Sequence, residues 1–317
     1  MKKLAIQTLL VATVLFVQAT NFGGGHSVVG SPDAQQISYT FTDIDVPFPD
    51  ATTTYPRGIN NSGEIVGWYN PGFHGFLADA GEFTAIKGTP SGISADGQIV
   101  GSYADSSGAH GFLFDDGVFS TINVPFPGAF NTTAQDINAR GEIVGNYRDS
   151  NFLEHGYLLS EGEFTTIDVP FPGAMQTEVF GINARGQIVG AYLDGNGWHA
   201  FFADKGNSGR GKTAAFSRIQ LPFADVPTIY ATTYALGIND RGQIVGFYSD
   251  ANRNDHGFLI DRGQVSTIDV PGALYTQADD INDRGEIVGT YSPNAFAYSR
   301  GFIATPHKKN SQDELAK

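Results

Sequence analysis

One heptapeptide, Gly-x-Ile-Val-Gly-x-Tyr, constrains this chain more than any other feature. It begins at Gly63, Gly97, Gly141, Gly186, Gly242 and Gly285, at steps of 34, 44, 45, 56 and 43 residues. Steps of this length mark stacked supersecondary units, with about 40–50 residues typical of propeller blades. Three residues before each first glycine stands a polar residue: Asn60, Ser94, Asn138, Asn183, Asn239 or Asn282. Asn bonds its own turn and Gly takes the left-handed conformation, which is the chemistry of a tight β-hairpin.

After a variable loop comes His-Gly-Phe or a relative, at His74, His110, His155, His199, His256 and Arg300. A short Gly turn and a Phe-Thr-x-Ile-Asp segment follow. Each unit therefore reads as a four-stranded meander with no helical period. The second strand places apolar residues side by side, as at Ile65 and Val66. Neighbouring strand residues face opposite ways, so both faces of the sheet need cover. Sheets stacked around an axis supply it. The expected fold is all-β, a six-bladed β-propeller over residues 38–305.

The ends are complementary. Tyr39 to Pro47 reads as a fourth strand with nothing before it, and the last unit stops after its third strand. The N-terminal strand is expected to complete the last blade and close the ring, which removes exposed edges. Residues 1–19 read as a signal peptide: Lys2 and Lys3, an apolar run from Leu4 to Val17, then Ala19. Residues 20–37 read as a flexible leader and 306–317 as a polar tail. An exported, monomeric protein with no span after cleavage is expected.

The chain has no Cys, so burial must hold it together without disulfides. Its formal net charge is −14. Such a surface repels nucleic acid and anionic lipid.

His199-Ala200-Phe201, with the heptapeptide and Phe164-Thr-Thr-Ile-Asp-Val-Pro170, resembles the bacterial extracellular repeat family named for its His-Ala-Phe motif. The resemblance spans nearly all of residues 38–304. It implies an exported, propeller-like repeat protein and carries over no catalytic residue. Arg300 departs from the His pattern.

The repeated His and Tyr residues share one local job per unit and read as structural. Gly206 to Thr213 matches the phosphate-loop pattern in letters but lacks the helix that would follow it, so no nucleotide is expected. Asp250, Asn252 and Asn254 alternate as in a calcium loop, without its Gly at the sixth position or Glu at the twelfth. They are a weak calcium candidate, and no other cofactor is expected.

Function is sought where the units differ: the loop after each Tyr and the link before each Asn. The candidate ligand residues are Phe73, Asp149, Phe152, Glu154, Asp194, Trp198, Asp250, Asp255 and Tyr275. Aromatic and acidic side chains on one face suit a glycan or an extracellular protein. Two classes follow: a non-catalytic binding or scaffold protein, and a polysaccharide hydrolase or lyase with a carboxylate pair near the axis.

Overall fold

A computed structural model describes residues 8–13, 37–204, 214–222, 231–294 and 299–307. The described residues are strands and turns without helix. The strands form a ring of sheets, a β-propeller. In unit one the strands are Thr53–Ile59, Ile65–Asn70, His74–Asp79 and Glu82–Ile86, paired antiparallel in sequence order. The other units repeat this order, so strands one to four of any unit run from the axis outward.

The hairpin between strands one and two forms as its residues predict. Gly63 N donates to Asn60 O at 3.1 Å and Gly63 has φ of 92°, and the other five copies match. Val66 packs in an apolar cluster with Ile99 and Phe112 of unit two, whereas Ile65 packs with Ile44 and Val288 of unit six. Adjacent strand residues thus serve opposite interfaces. There are six such clusters among the described residues, one between each consecutive pair of units.

Ring closure occurs as expected. Ser38–Ile44 pairs antiparallel with Arg300–Pro306, from Tyr39 opposite Pro306 to Ile44 opposite Gly301. Tyr39 and Phe41 are buried in the cluster shared by units five and six. The ordered strand ends at Pro306, and His307 adds to it: its N donates to Ser38 O at 2.8 Å. The pairing therefore reaches into the stretch expected to be tail. Thr8–Thr13, inside the stretch expected to be a signal peptide, pairs outside Ser38–Ile44.

The expectation of six separate blades is corrected. Four sheets each carry one unit, and the fifth is eight-stranded and carries units four and five. Gly197 and Trp198 pair in parallel with Ala231 and Thr232, which joins the two units edge to edge.

Candidate functional site

Every first strand carries a β-bulge four to two residues before its Asn position, as between Pro56 and Gly58 or Val179 and Gly181. A bulge inserts an unpaired residue and re-aims its neighbours. It also turns a carbonyl toward strand two. A Cβ on Gly67 would overlap Tyr55 O, and one on Gly145 would overlap Thr133 O. The second glycine of the heptapeptide is thus demanded by the bulge opposite it.

At the hairpin end of the axis the Asn side chains form a chain of bonds. Asn60 Nδ2 donates to Ser94 O, Asn138 to Asn183 O, Asn183 to Asn239 O, Asn239 to Asn282 O and Asn282 to Asn60 O, all at 2.9–3.1 Å. Each Asn Oδ1 accepts amides of its own hairpin, as Asn183 does from Arg185 and Gln187. Ser94 has no amide with which to reach Asn138. The sequence gives Asn a role in its own turn, and the structure adds the stitch to the next unit.

A cavity of about 90 Å³ lies inside this ring, lined by the Ile-Asn ends of five first strands, by Ile93 and Ser94 of the sixth, and by Asp136 and Asp280. Two residues before the Asn position the units carry Gly58, Gly92, Asp136, Gly181, Gly237 and Asp280. The two aspartates stand three units apart. Asp136 Oδ2 accepts Ile182 N at 2.8 Å and Asp280 Oδ2 accepts Ile59 N at 2.9 Å. Burial raises the Asp136 carboxyl to about 7 against these bonds. Burial and the facing Asp136 also raise Asp280.

At the opposite, loop-bearing end, the position five before the Asn is Tyr55, Thr89, Thr133, Glu178, Tyr234 or Gln277. Tyr55 stacks on Trp68 at 4.0 Å between ring centres, and Phe73 packs on Trp68 at 5.1 Å. Tyr234 stacks on Phe247 at 5.1 Å and Trp198 at 5.4 Å, with Phe180 at 5.7 Å. Burial and then Glu154 push the Glu178 carboxyl up to about 7, against the pull of Arg148. Among the described residues the Glu178 carboxyl has no hydrogen-bond or ion-pair partner. Asp279 is buried and pairs with Arg57 across units six and one.

The loop residues singled out by sequence divide into two kinds. Several carboxylates build their loops. Asp149 Oδ1 accepts Asn151 N at 2.8 Å and Leu153 N at 3.0 Å, and Asp250 Oδ1 accepts Asn252 N and Asn254 N at 2.8 Å. Asp250 Oδ2 faces the Asn252 and Asn254 side-chain amides at 3.4 Å. Asp194 is buried and accepts Asn196 N at 2.7 Å. Glu154 takes Arg148 Nε at 2.7 Å, and Asp255 takes Ser249 Oγ at 2.7 Å and Gln277 Nε2 at 2.8 Å. Tyr275 opens the first strand of unit six, half-buried opposite Ser292.

The aromatic residues differ. Phe73 and Phe152 are 61% and 69% exposed and hold φ of 56° and 64°. A bulky residue in that region is strained, and strain of this kind gathers at functional sites. Trp198 reaches the Tyr234 cluster. Gly206 to Thr213, the phosphate-loop match, lies outside the described residues.

His155 and His256 pin loops to sheets. His256 Nδ1 meets Asp269 Oδ2 at 2.9 Å while Nε2 faces Asp250 at 3.6 Å, and Tyr248 stacks on the ring. His155 repeats this with Asp168 at 2.9 Å and Asp149 at 3.7 Å. Their partners are carboxylates on the loop and on the residue just after strand four.

Sequence reading missed Glu178, Tyr234, Tyr55 and Trp68. Their signal was present: aligned on the Asn, the fifth position upstream varies in kind while the fourth, Pro56, Pro90, Ala134, Val179, Ala235 and Ala278, stays apolar.

No family model matches this sequence, and no curated protein matches it. Solved structures do. TolB from Acinetobacter baumannii is 12% identical with a TM-score of 0.50, over 81% of this chain and 63% of that one. The chain therefore spans under two thirds of that protein's length. A lectin from Aleuria aurantia, described as a six-bladed β-propeller with fucose recognition, is 12% identical with a TM-score of 0.43, over 74% and 90%. YCF48, solved bound to D1 peptide, is 11% identical with a TM-score of 0.41, over 90% and 99%. At 12% identity the likeness to TolB is one of fold.

Proposed function

We propose that the chain is an exported, non-catalytic binding module of the His-Ala-Phe repeat kind. Its loop-bearing face takes a saccharide at the axial mouth. The carrying observation is Glu178, a carboxyl without a bonding partner beside the Tyr234, Trp198 and Phe180 rings. Sugars present apolar C–H faces to aromatic rings and hydroxyls to a carboxyl, and this mixture suits them. Exposed Phe73 and Phe152 extend the same face. A glycan array followed by calorimetry tests the reading. A hit should weaken at least about tenfold, or about 1.4 kcal/mol, in Tyr234→Ala and Glu178→Gln. Unchanged affinity in both variants would remove the site.

A second reading rests on one feature. A carboxyl raised to about 7 can donate a proton near neutral pH, as a glycosidic acid does. Release of reducing ends from a bound polysaccharide, lost in Glu178→Gln, would make the protein an enzyme. Binding without release leaves it a module. Export is checked by sequencing the mature N-terminus, which is expected just after Ala19.

A further inference from the structure

The arrangement of Asp136 and Asp280 has a meaning for the ring as a whole. Read around the axis, the position two before the Asn runs Gly, Gly, Asp, Gly, Gly, Asp. Units one to three and units four to six therefore form two like halves. Each aspartate sits at the last unit of a half and bonds the first unit of the other. Asp136 reaches Ile182 N across the seam between units three and four, at 2.8 Å. Asp280 reaches Ile59 N across the seam between units six and one, at 2.9 Å. The second is also the seam where the chain closes. At the other four seams a glycine holds the position, and no side chain of that position crosses.

The space admits little else. A Cβ on Gly92 would lie 2.8 Å from Asp136 Oδ1, and one on Gly237 would lie 2.7 Å from Asp280 Oδ1. Each aspartate is thus fitted against the glycine of the preceding unit. Asp136 Oδ1 also accepts Ile137 N at 2.8 Å, so its two oxygens are both bonded to backbone.

We propose that Asp136 and Asp280 form a proton-dependent lock at the two opposite seams of the ring: neutral carboxyls hold the halves together, and their ionisation loosens them.

The charged surroundings support it. The cavity between them is lined by no Lys, Arg or His among the described residues, and Asp240 and Asp283 stand at its mouth. Asp279, on the same strand as Asp280, adds a third buried carboxyl, with Arg57 of unit one as its partner. Asp283 Oδ2 accepts Asn61 Nδ2 at 2.7 Å and Asp240 Oδ1 accepts Ala184 N at 2.6 Å. Two negative charges facing one another in a cavity without a cation are costly. Neutral carboxyls avoid that cost and keep lone pairs for both amides.

The direction follows from linkage. Both carboxyls are raised in the fold, Asp136 to about 7. Between the ordinary carboxylate value of about 4 and the raised values, the folded chain holds protons that the unfolded chain has lost. The stabilisation is complete below about pH 4; the Asp136 share disappears as the pH rises through about 7, and the Asp280 share as it rises through that group's own raised value.

The test is thermal melting of the full chain from pH 5 to 8.5 at fixed ionic strength, for wild type and for Asp136→Gly/Asp280→Gly. Glycine is what the other four units carry, so this variant keeps a backbone the fold already uses. Wild type is expected to lose several degrees more than the variant between pH 5 and 8. A second measurement stands apart from stability: the infrared carbonyl stretch of a protonated carboxyl, as wild type minus variant. It should be present at pH 5.5 and titrate away as the pH rises, with the Asp136 part going near 7. Parallel melting profiles, or a difference spectrum showing carboxylate already at pH 5.5, would overturn the proposal.

Discussion

At the scale of single residues, the repeated positions are explained by contacts that repeat. Asn183 serves its own hairpin with Oδ1 and the next unit with Nδ2. Ser94 fills the first role through its hydroxyl, which accepts Gln98 N at 3.1 Å, and leaves the second undone. Ser94→Asn should therefore add the missing bond to Asn138 O. The expected gain is about 1 kcal/mol, read as a melting temperature raised by about 2–3 °C. No rise, with the hairpin intact by NMR, would show that the gap has no energetic meaning. Phe152 gives the opposite kind of prediction. Its left-handed backbone costs about 1–2 kcal/mol, while its ring makes one edge contact with Phe130 at 5.3 Å. Phe152→Gly should leave urea stability unchanged or about 1 kcal/mol higher, while ligand affinity falls. Loss of stability would mean that the ring belongs to packing.

At the scale of elements, the closing strand and the His clamps matter most. Deleting residues 38–44 removes Tyr39, Phe41 and Ile44, each nearly fully buried. At about 1.5–3 kcal/mol per buried side chain, the loss approaches the whole stability of an ordinary domain. The truncated chain should be insoluble or melt far lower, and melting at the wild-type temperature would refute the closure. The clamp on loop 249–255 has a pH window. Burial alone would raise Asp250, but the Asn254 and Asn252 amides outweigh it and depress the carboxyl. Its contribution is therefore present above the ordinary carboxylate range and lost as the pH falls through the depressed value. Burial alone would lower His256, but Asp269 and Asp250 outweigh it and raise the ring. That contribution is present below the ordinary imidazole value and lost as the pH rises through the raised one. Amide exchange at Asn252 and Asn254 should be slowest between these limits, and equal protection from pH 3 to 9 would discard the clamp.

At the scale of the molecule, the two ends of the axis differ in kind. The hairpin end is made of what repeats, and the loop end of what varies. Ile65 and Val66 announced sheets covered on both faces, and the unpaired strand at Tyr39 announced closure, because both are local patterns that only one architecture satisfies. The Asn positions announced their turns, because a turn is local. Repetition gives the His and Tyr residues a structural reading, and in the fold their polar partners differ from unit to unit: Tyr147 meets Thr166, and Tyr291 meets Asp43. What the chain could not disclose by itself was adjacency between units. The Asn stitches, the facing of Asp136 and Asp280 across three units, and the meeting of Glu178 with Tyr234 all join residues 34 to 222 positions apart. The bonds by which Asp149 and Asp250 hold their loops are likewise visible only once the Asn151, Leu153, Asn252 and Asn254 amides are in place. Periodicity and turn chemistry thus determined the unit, its faces and its closure. Only the closed ring decided which side chains converge on the axis, because convergence depends on the bulge and on the neighbouring sheet, and neither is written within a single repeat.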